Sequence, residues 1–408
     1  MDKAMRGRDI FRRVCLVVLS VTALLLALET GYLSLTPNRD APGHAAAPTA
    51  PQTGDSAAAL WPRGVLISRA DGHRRAALCD QTETERLFSP FAALLGEALG
   101  TAGAAEALSE ADFRLGLTGE GLFVDLGAAC PLGLLAGALG AKGRCADTAE
   151  LLLLLPGVEG AELRYRRPDG SFARCATSTS SETLRARLNE GEGVEAVFAY
   201  EDPALSRLSP YLIVPAHRNV PPRIEAAVNP NPETLMRAFG MNSYVASGYR
   251  EGDGTRVYID DEKTLRIASD GTVRYRCDAA GRGGSSDEEL AAYALRLAQE
   301  SVGALCGDAR LRFVGLRREG ELATVELDYA VQGVPVELAA GRAVVLRFRN
   351  GSLVSAQLLP RSFRASAEAE TVPPMRFAAA IAAAGEGGGL RLCYLERGEG
   401  FRCLWVNG

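Results

Sequence analysis

Gly252-Asp253-Gly254-Thr255-Arg256-Val257-Tyr258-Ile259-Asp260, followed by Thr264-Leu265-Arg266-Ile267 and then Asp270-Gly271-Thr272-Val273-Arg274-Tyr275-Arg276, is the stretch that decides the fold. β-branched and aromatic residues alternate here with polar ones, the pattern of strands with one buried face. Asp253-Gly254 and Asp270-Gly271 supply residues that tolerate positive φ, as tight hairpins require. Residues 255–259, 264–267 and 272–276 therefore read as an antiparallel meander. Helices set beside such a sheet make an α+β fold.

Working toward the C-terminus, Ser286 and Glu289 have capping-box spacing, and Leu290, Tyr293, Ala294, Leu297 and Leu305 continue one apolar helix face that stops before Gly307. Strands follow over 311–315, 323–329, 334–338, 343–349 and 352–359, with Asn350-Gly351 turning the last pair. A short helix over 375–384 and a hairpin of 390–395 with 401–406 close the chain. Cys393 and Cys403 lie on the two arms of that hairpin. They either face each other or are ordinary half-buried thiols.

Toward the N-terminus, Asn231 and Pro232 open a helix through Leu235, Met236 and Phe239 that Gly240 ends. Pro215, Pro221, Pro222, Pro230 and Pro232 mark residues 215–232 as a linker between an N-terminal α+β domain (63–214) and a C-terminal one (233–408). In the first of these, 64–68 and 75–78 form a hairpin around Asp71-Gly72. Ser89 caps a helix with Pro90 at its first position and Phe91, Leu94, Leu95, Ala98 and Leu99 on one face until Gly100. Residues 122–126 and 151–155 read as strands, 131–139 as a short helix, 163–166 with 171–174 as a second hairpin, 182–188 as a helix and 194–200 as a strand.

Ahead of the domains, residues 36–62 hold five prolines among Ala, Thr, Gly, Asp and Gln, a composition that reads as a disordered spacer. Residues 14–28 carry no charge, and Lys3, Arg6, Arg8, Arg12 and Arg13 precede them. Under the positive-inside rule, 1–13 is a cytoplasmic tail, 14–35 a single transmembrane anchor, and the remaining chain is extracytoplasmic. A cleaved secretory signal is the alternative, disfavoured because Leu28-Glu29-Thr30-Gly31-Tyr32 offers no small-x-small cleavage site. Ser20, Ala23, Ala27 and Gly31 share one face of this helix at small-xxx-small spacing, the pattern of close packing between membrane helices.

The remaining composition narrows the chemistry. The net charge is −5 with both signs interspersed, so no run of basic residues points to nucleic acid. The histidines are His44, His73 and His217, scattered and outside any HExxH or paired arrangement, and no C-x-x-C is present. No nucleophile elbow or P-loop occurs. Gly281 to Gly284 with Arg282 reads as a flexible join, and Asp260-Asp261-Glu262 lacks the alternating ligands of a calcium loop. The reading assigns no catalytic residue, metal or cofactor.

Leu235-Met236-Arg237-Ala238-Phe239-Gly240-Met241-Asn242, the doubled D-G-T hairpin behind it, and Asp328-Tyr329-Ala330-Val331-Gln332-Gly333-Val334-Pro335-Val336 together resemble the YycH/YycI family. These are membrane-anchored regulators of the essential cell-wall sensor histidine kinase of Gram-positive bacteria. The resemblance implies a non-enzymatic role in which the outer domain and the anchor contact the kinase. It leaves open which kinase, the sign of regulation, and whether a second anchored regulator takes part. The rival classes are an anchored cell-envelope enzyme, which needs a pocket of converging acids or histidine, and a wall- or lipid-binding module.

Overall fold

A computed structural model describes residues 58–216, 220–244, 246–278, 286–369, 380–381, 389–398 and 400–407. All of the described residues belong to one compact unit, Ala47–Gly408. The anchor read at 14–35, with Ser20, Ala23, Ala27 and Gly31, lies outside the described residues, as does most of the helix read at 375–384. Among the described residues no helix is long and apolar enough to cross a membrane.

The first half contains β1 (Gly64–Ser68), β2 (Arg74–Leu78), α1 (Gln81–Thr101), β3 (Glu106–Leu108), α2 (Glu110–Thr118), β4 (Gly121–Pro131), α3 (Leu132–Ala138), β5 (Thr148–Pro156), β6 (Ala161–Arg166), β7 (Phe172–Ala176), α4 (Ser181–Glu190), β8 (Val194–Phe198) and β9 (Ile213–Pro215). Its strands form one antiparallel sheet in the order β3-β7-β6-β5-β4-β1-β2-β8-β9. Both faces are covered. Val65, Ile67, Leu122, Val124, Leu152, Leu154, Leu163 and Tyr165 face a core shared with α1, α3 and α4. Leu66, Phe123, Leu151, Leu153, Phe172 and Phe198 face a second core closed by Phe113 and Leu117 of α2. A strand buried on both sides has no polar face to alternate with, and this accounts for the unbroken Leu151-Leu152-Leu153-Leu154-Leu155 of β5.

The second half adds β10 (Pro222–Val228), α5 (Pro232–Ala238), β11 (Ser247–Arg250), β12 (Arg256–Asp260), β13 (Lys263–Ile267), β14 (Val273–Cys277), α6 (Asp287–Ser301), β15 (Ala309–Glu319), β16 (Leu322–Val331), β17 (Val334–Glu337), β18 (Val344–Arg349), β19 (Ser352–Leu358), β20 (Arg361–Ala369), β21 (Leu390–Arg397) and β22 (Gly400–Asn407). Its large sheet runs β11-β12-β13-β14-β19-β18-β16-β17-β21-β22, with β15 on β16, and β10 pairs separately with β20. The quoted meander is β12–β14, in the expected antiparallel register. Leu265, Ile267, Val273, Tyr275, Leu346 and Phe348 point inward, where α5 and α6 pack on them. The inner core is continuous with that of the first half, since α3 packs on α6 and β4 on β15. The α6 capping box forms in full: Ser286 Oγ accepts from Glu289 N, and Glu289 Oε2 accepts from Ser286 N.

Two local expectations need correction, and one alternative left open above is decided. The helix read from Ser89 begins eight residues earlier at Gln81, capped by Asp80, whose carboxylate accepts from Glu83 N at 3.1 Å. Pro90 sits inside it on the solvent side, and Ser89 Oγ donates to Glu85 O instead of capping. The spacer read through Pro62 stops short of that residue. Ala59 and Leu60 are buried, Trp61 packs edge-on against Phe88 at 5.1 Å, and Ala59 O accepts from Phe313 N at 2.9 Å. In the last hairpin Cys393 lies opposite Leu404 and Cys403 opposite Tyr394, so the two thiols point to opposite faces and do not meet. Both are buried, and no disulfide joins them.

Candidate functional site

Two features stand out where the halves meet and where the second sheet faces outward. The first is a cleft of about 800 Å³ beside the N-terminus of α1, lined by Asp80, Gln81, Pro222, Asp308, Arg310 and Gln332 among others. Its polar groups serve the fold. Asp80 caps α1, Asp308 accepts from Ala365 N at 2.8 Å, and Arg310 pairs with Glu85 at 2.5 Å. Gln81 N donates to Gln332 O at 3.0 Å across the seam, and Gly333 turns beside it.

Deeper in the seam, Arg312 of β15 reaches into the first half and donates from Nη2 to Leu126 O at 2.8 Å. Gly127, at φ +63°, leaves the room: a Cβ there would collide with the Arg312 guanidinium. Burial, and then the like charge of Arg63, push the Arg312 pKa down to about 10. Arg63 is itself held by Asp125, with Nε donating to Oδ2 at 3.1 Å. Burial opposes the charge of Arg63, yet Asp125 leaves it above its ordinary value. The other oxygen of Asp125 accepts from Gly127 N at 2.7 Å. These groups fix the seam and present no nucleophile or base to a substrate.

The second feature is the outer face of the β11–β22 sheet. Arg276 lies opposite Thr264 and Ser355, Ser355 lies opposite Arg347, and Arg347 opposite Thr324. In the adjacent row, Arg266 is directly opposite Arg274, which is opposite Gln357. Arg349 is opposite Ser352. Side chains opposed across strands share a face, so the register gathers Arg266, Arg274, Arg276, Arg347 and Arg349 on one exposed surface. Arg266 pairs with Glu251 at 2.5 Å. Glu326, further along, is held by Arg342 at 3.3 Å and Arg317 at 3.8 Å. Among the described residues no carboxylate lies in ion-pair range of Arg274, Arg276, Arg347 or Arg349. Like charges set opposite each other weaken a sheet. An arrangement that costs stability without serving the interior is where recognition is to be sought.

Linear reading missed this face because its arginines come from strands about eighty residues apart and alternate with core residues. The signal was present in Arg274-Tyr275-Arg276 and Arg347-Phe348-Arg349, where one buried aromatic separates two outward cations.

The remaining sequence candidates fall as follows. His73 is exposed on the β1–β2 turn, where its backbone N–H donates to Asp71 Oδ1 at 2.9 Å. His44, His217 and the 281–284 glycine run lie outside the described residues. Asp260 accepts from Asn242 N at 2.8 Å, and Asp261 occupies the turn at φ +50°. Asp253 and Asp270 each accept the backbone N–H two residues ahead, at 2.9 and 2.8 Å, which closes the D-G-T turns.

No family model and no curated protein sequence matches the chain. Among solved structures it is similar to the crystal structure of YycH from Bacillus subtilis, with a TM-score of 0.57 and 10% sequence identity, over 87% of this chain and 95% of that one. The fold is therefore YycH-like along nearly the whole of both chains.

Proposed function

We propose that this chain is a membrane-anchored, extracytoplasmic regulator of a two-component sensor histidine kinase. In this reading it acts by contact and not by catalysis. The observation that carries it is the YycH-like fold, matched over 95% of the solved chain. It accords with the basic flank and uncharged stretch at 14–28, the pattern expected of an anchor ahead of the body.

The arginine face is the surface assigned to the contact. At about 4.8 Å between neighbouring strands, β13, β14, β19, β18 and β16 span roughly 20 Å, comparable to one side of a small protein interface. Arginine suits that task, because its planar fork meets carboxylates in a bidentate manner and loses little order on binding. The partner surface is accordingly acidic. The anchor, through Ser20, Ala23, Ala27 and Gly31, packs on the kinase's membrane helices, and the two contacts together bias a two-state signalling equilibrium.

Co-purification of the full chain with a sensor histidine kinase from its own cells tests this. Arg276→Glu with Arg347→Glu is expected to lower recovery at least about tenfold, since reversed rim charges confront acidic partners with like charge. Ala23→Leu with Ala27→Leu is expected to weaken it separately. Recovery unchanged by either pair overturns the reading. The same face also favours an anionic lipid- or wall-binding module. That alternative stands if the Arg276/Arg347 pair abolishes binding to anionic vesicles while leaving kinase recovery intact.

A further inference from the structure

β11 is the end strand of the large sheet, paired with β12 on one side and, among the described residues, with no strand on the other. All four of its residues are exposed. It contains neither lysine nor proline, the residues that commonly blunt such an edge. Large apolar side chains gather there as well: Tyr244, Tyr249 and Ile259, the last lying opposite Ser247, are 98%, 52% and 39% exposed.

The register fixes which backbone groups face outward. Glu251 N donates to Thr255 O at 2.8 Å, so these two residues form a hydrogen-bonded pair across the hairpin. Such pairs alternate with non-bonded ones along antiparallel strands. Tyr249 and Ser247, opposite Val257 and Ile259, therefore bond to β12, and the N–H and C=O groups of Gly248 and Arg250 turn to the open edge. A strand laid against that edge has to offer two outward residues at the same spacing. β11 itself does so. Run antiparallel about a twofold axis at Tyr249, Gly248 meets Arg250 of a second copy, and Arg250 meets Gly248 of that copy. Each pair exchanges both its hydrogen bonds, and every outward polar group of the strand is satisfied.

The side chains favour the same register. Tyr249 meets Tyr249 of the second copy in the central non-bonded pair, where Cα atoms approach to about 4.5 Å and aromatic pairs stabilise a sheet. Arg250 stands opposite a glycine, with no like charge against it. Of the two neighbouring registers that also pair outward residues, one sets Arg250 against Arg250, and the other sets Tyr249 against Ser247 and forfeits the aromatic pair.

We propose that β11 is a self-pairing edge, through which two copies of this chain join strand to strand into one continuous sheet. Tyr249 lies in the cross-strand row of Val257, Arg266 and Arg274. A twofold axis perpendicular to the sheet leaves both arginine faces on the same side, so the pair presents twice the cationic surface in one direction. The pairing is independent of what that surface binds.

The test uses the unsubstituted full chain in detergent, photo-oxidised briefly with ruthenium tris-bipyridyl and persulfate, which couples tyrosines in contact, and then digested for mass spectrometry. A Tyr249–Tyr249 linked peptide joins two copies by necessity. It is expected to be the principal link between copies, at least about tenfold above any through the more exposed Tyr244. Association through an anchor alone would couple tyrosines by exposure, so the position of the link is the readout. Arg250→Pro removes an outward N–H while leaving the bonds to β12, and should lower the link at least about fivefold. Tyr249→Cys should cross-link copies under mild copper–phenanthroline oxidation, and Arg250→Cys, which faces glycine, should not. The proposal is overturned if the unsubstituted chain gives no Tyr249–Tyr249 peptide, or gives it no more than links through Tyr244. It is also overturned if Tyr249→Cys in cells joins this chain only to a different protein, which would assign the edge to a partner's strand. The first result comes from the unsubstituted protein and decides the matter even if a variant fails to fold.

Discussion

At Gly333 the backbone takes φ +86°, and a Cβ built there would stand 2.7 Å from the Gln81 nitrogen and 3.1 Å from the Asp80 carbonyl carbon. Both atoms are main chain at the cap of α1, so neither can move aside cheaply. Gly320 also has positive φ, at +60°, but has nothing within 4 Å. Gly320→Ala is therefore expected to cost about 1 kcal/mol, and Gly333→Ala about 2–4 kcal/mol, because only the latter adds a steric conflict to the left-handed strain. Urea unfolding of the two variants checks the difference, and equal losses would remove the close approach at the seam. The turn at Gly333 is legible from Gln332-Gly333 between two apolar runs. Its neighbour, some 250 residues earlier, is not, because no periodicity in the chain records which turn meets which helix cap. Gly127 and Arg312 were hidden for the same reason.

The D-G-T turns read directly from the sequence, and their chemistry carries a pH signature. Backbone and hydroxyl hydrogen bonds from Thr255 hold Asp253 below its ordinary 3.8, and those from Thr272 do the same for Asp270. A carboxylate with a depressed folded pKa contributes stability that is fully present above its unfolded value and lost as pH falls through the folded one. Asn at both positions keeps the accepting oxygen without the titration. The melting temperature of Asp253→Asn/Asp270→Asn should thus fall less steeply than that of the unsubstituted chain between about pH 4 and pH 2. Parallel acid branches would show that the turns are not what titrates. Elsewhere at this scale legibility followed the strength of the local signal. The α6 box and the Asn231-Pro232 start were plain, whereas α2, with only Phe113 and Leu117 buried, was too short and too polar to register. Pro90 misled because proline favours a first turn, and here the preference gave way to tertiary packing: Leu87 and Phe88, on the turn before it, are both buried.

The molecule as a whole joins two unlike sheets through one inner core, with the first covered on both faces and the second on one. The change from one sheet to the other falls within the proline-rich stretch 215–232, between the end of β9 and the start of β10. That stretch was visible in composition, but the shared interior was not, since burial against a distant segment leaves the same apolar pattern as burial within a domain. The two tryptophans report on opposite halves: Trp61 packs on Phe88, and Trp405 lies on β22. Single-tryptophan variants Trp61→Phe and Trp405→Phe of the full chain should show coincident denaturant midpoints, because the halves lose a common core together. Separate midpoints would mean that each half melts independently.

The uncovered side of the β11–β22 sheet has one more consequence. Its outward positions on β13, β14, β18 and β19 are every second residue of strands whose alternate residues hold the interior. Surface chemistry and foldedness are thus encoded on separate, interleaved letters. A chimera that keeps the inward letters and borrows the outward ones from another protein would retain this scaffold's solidity and acquire the donor's tastes.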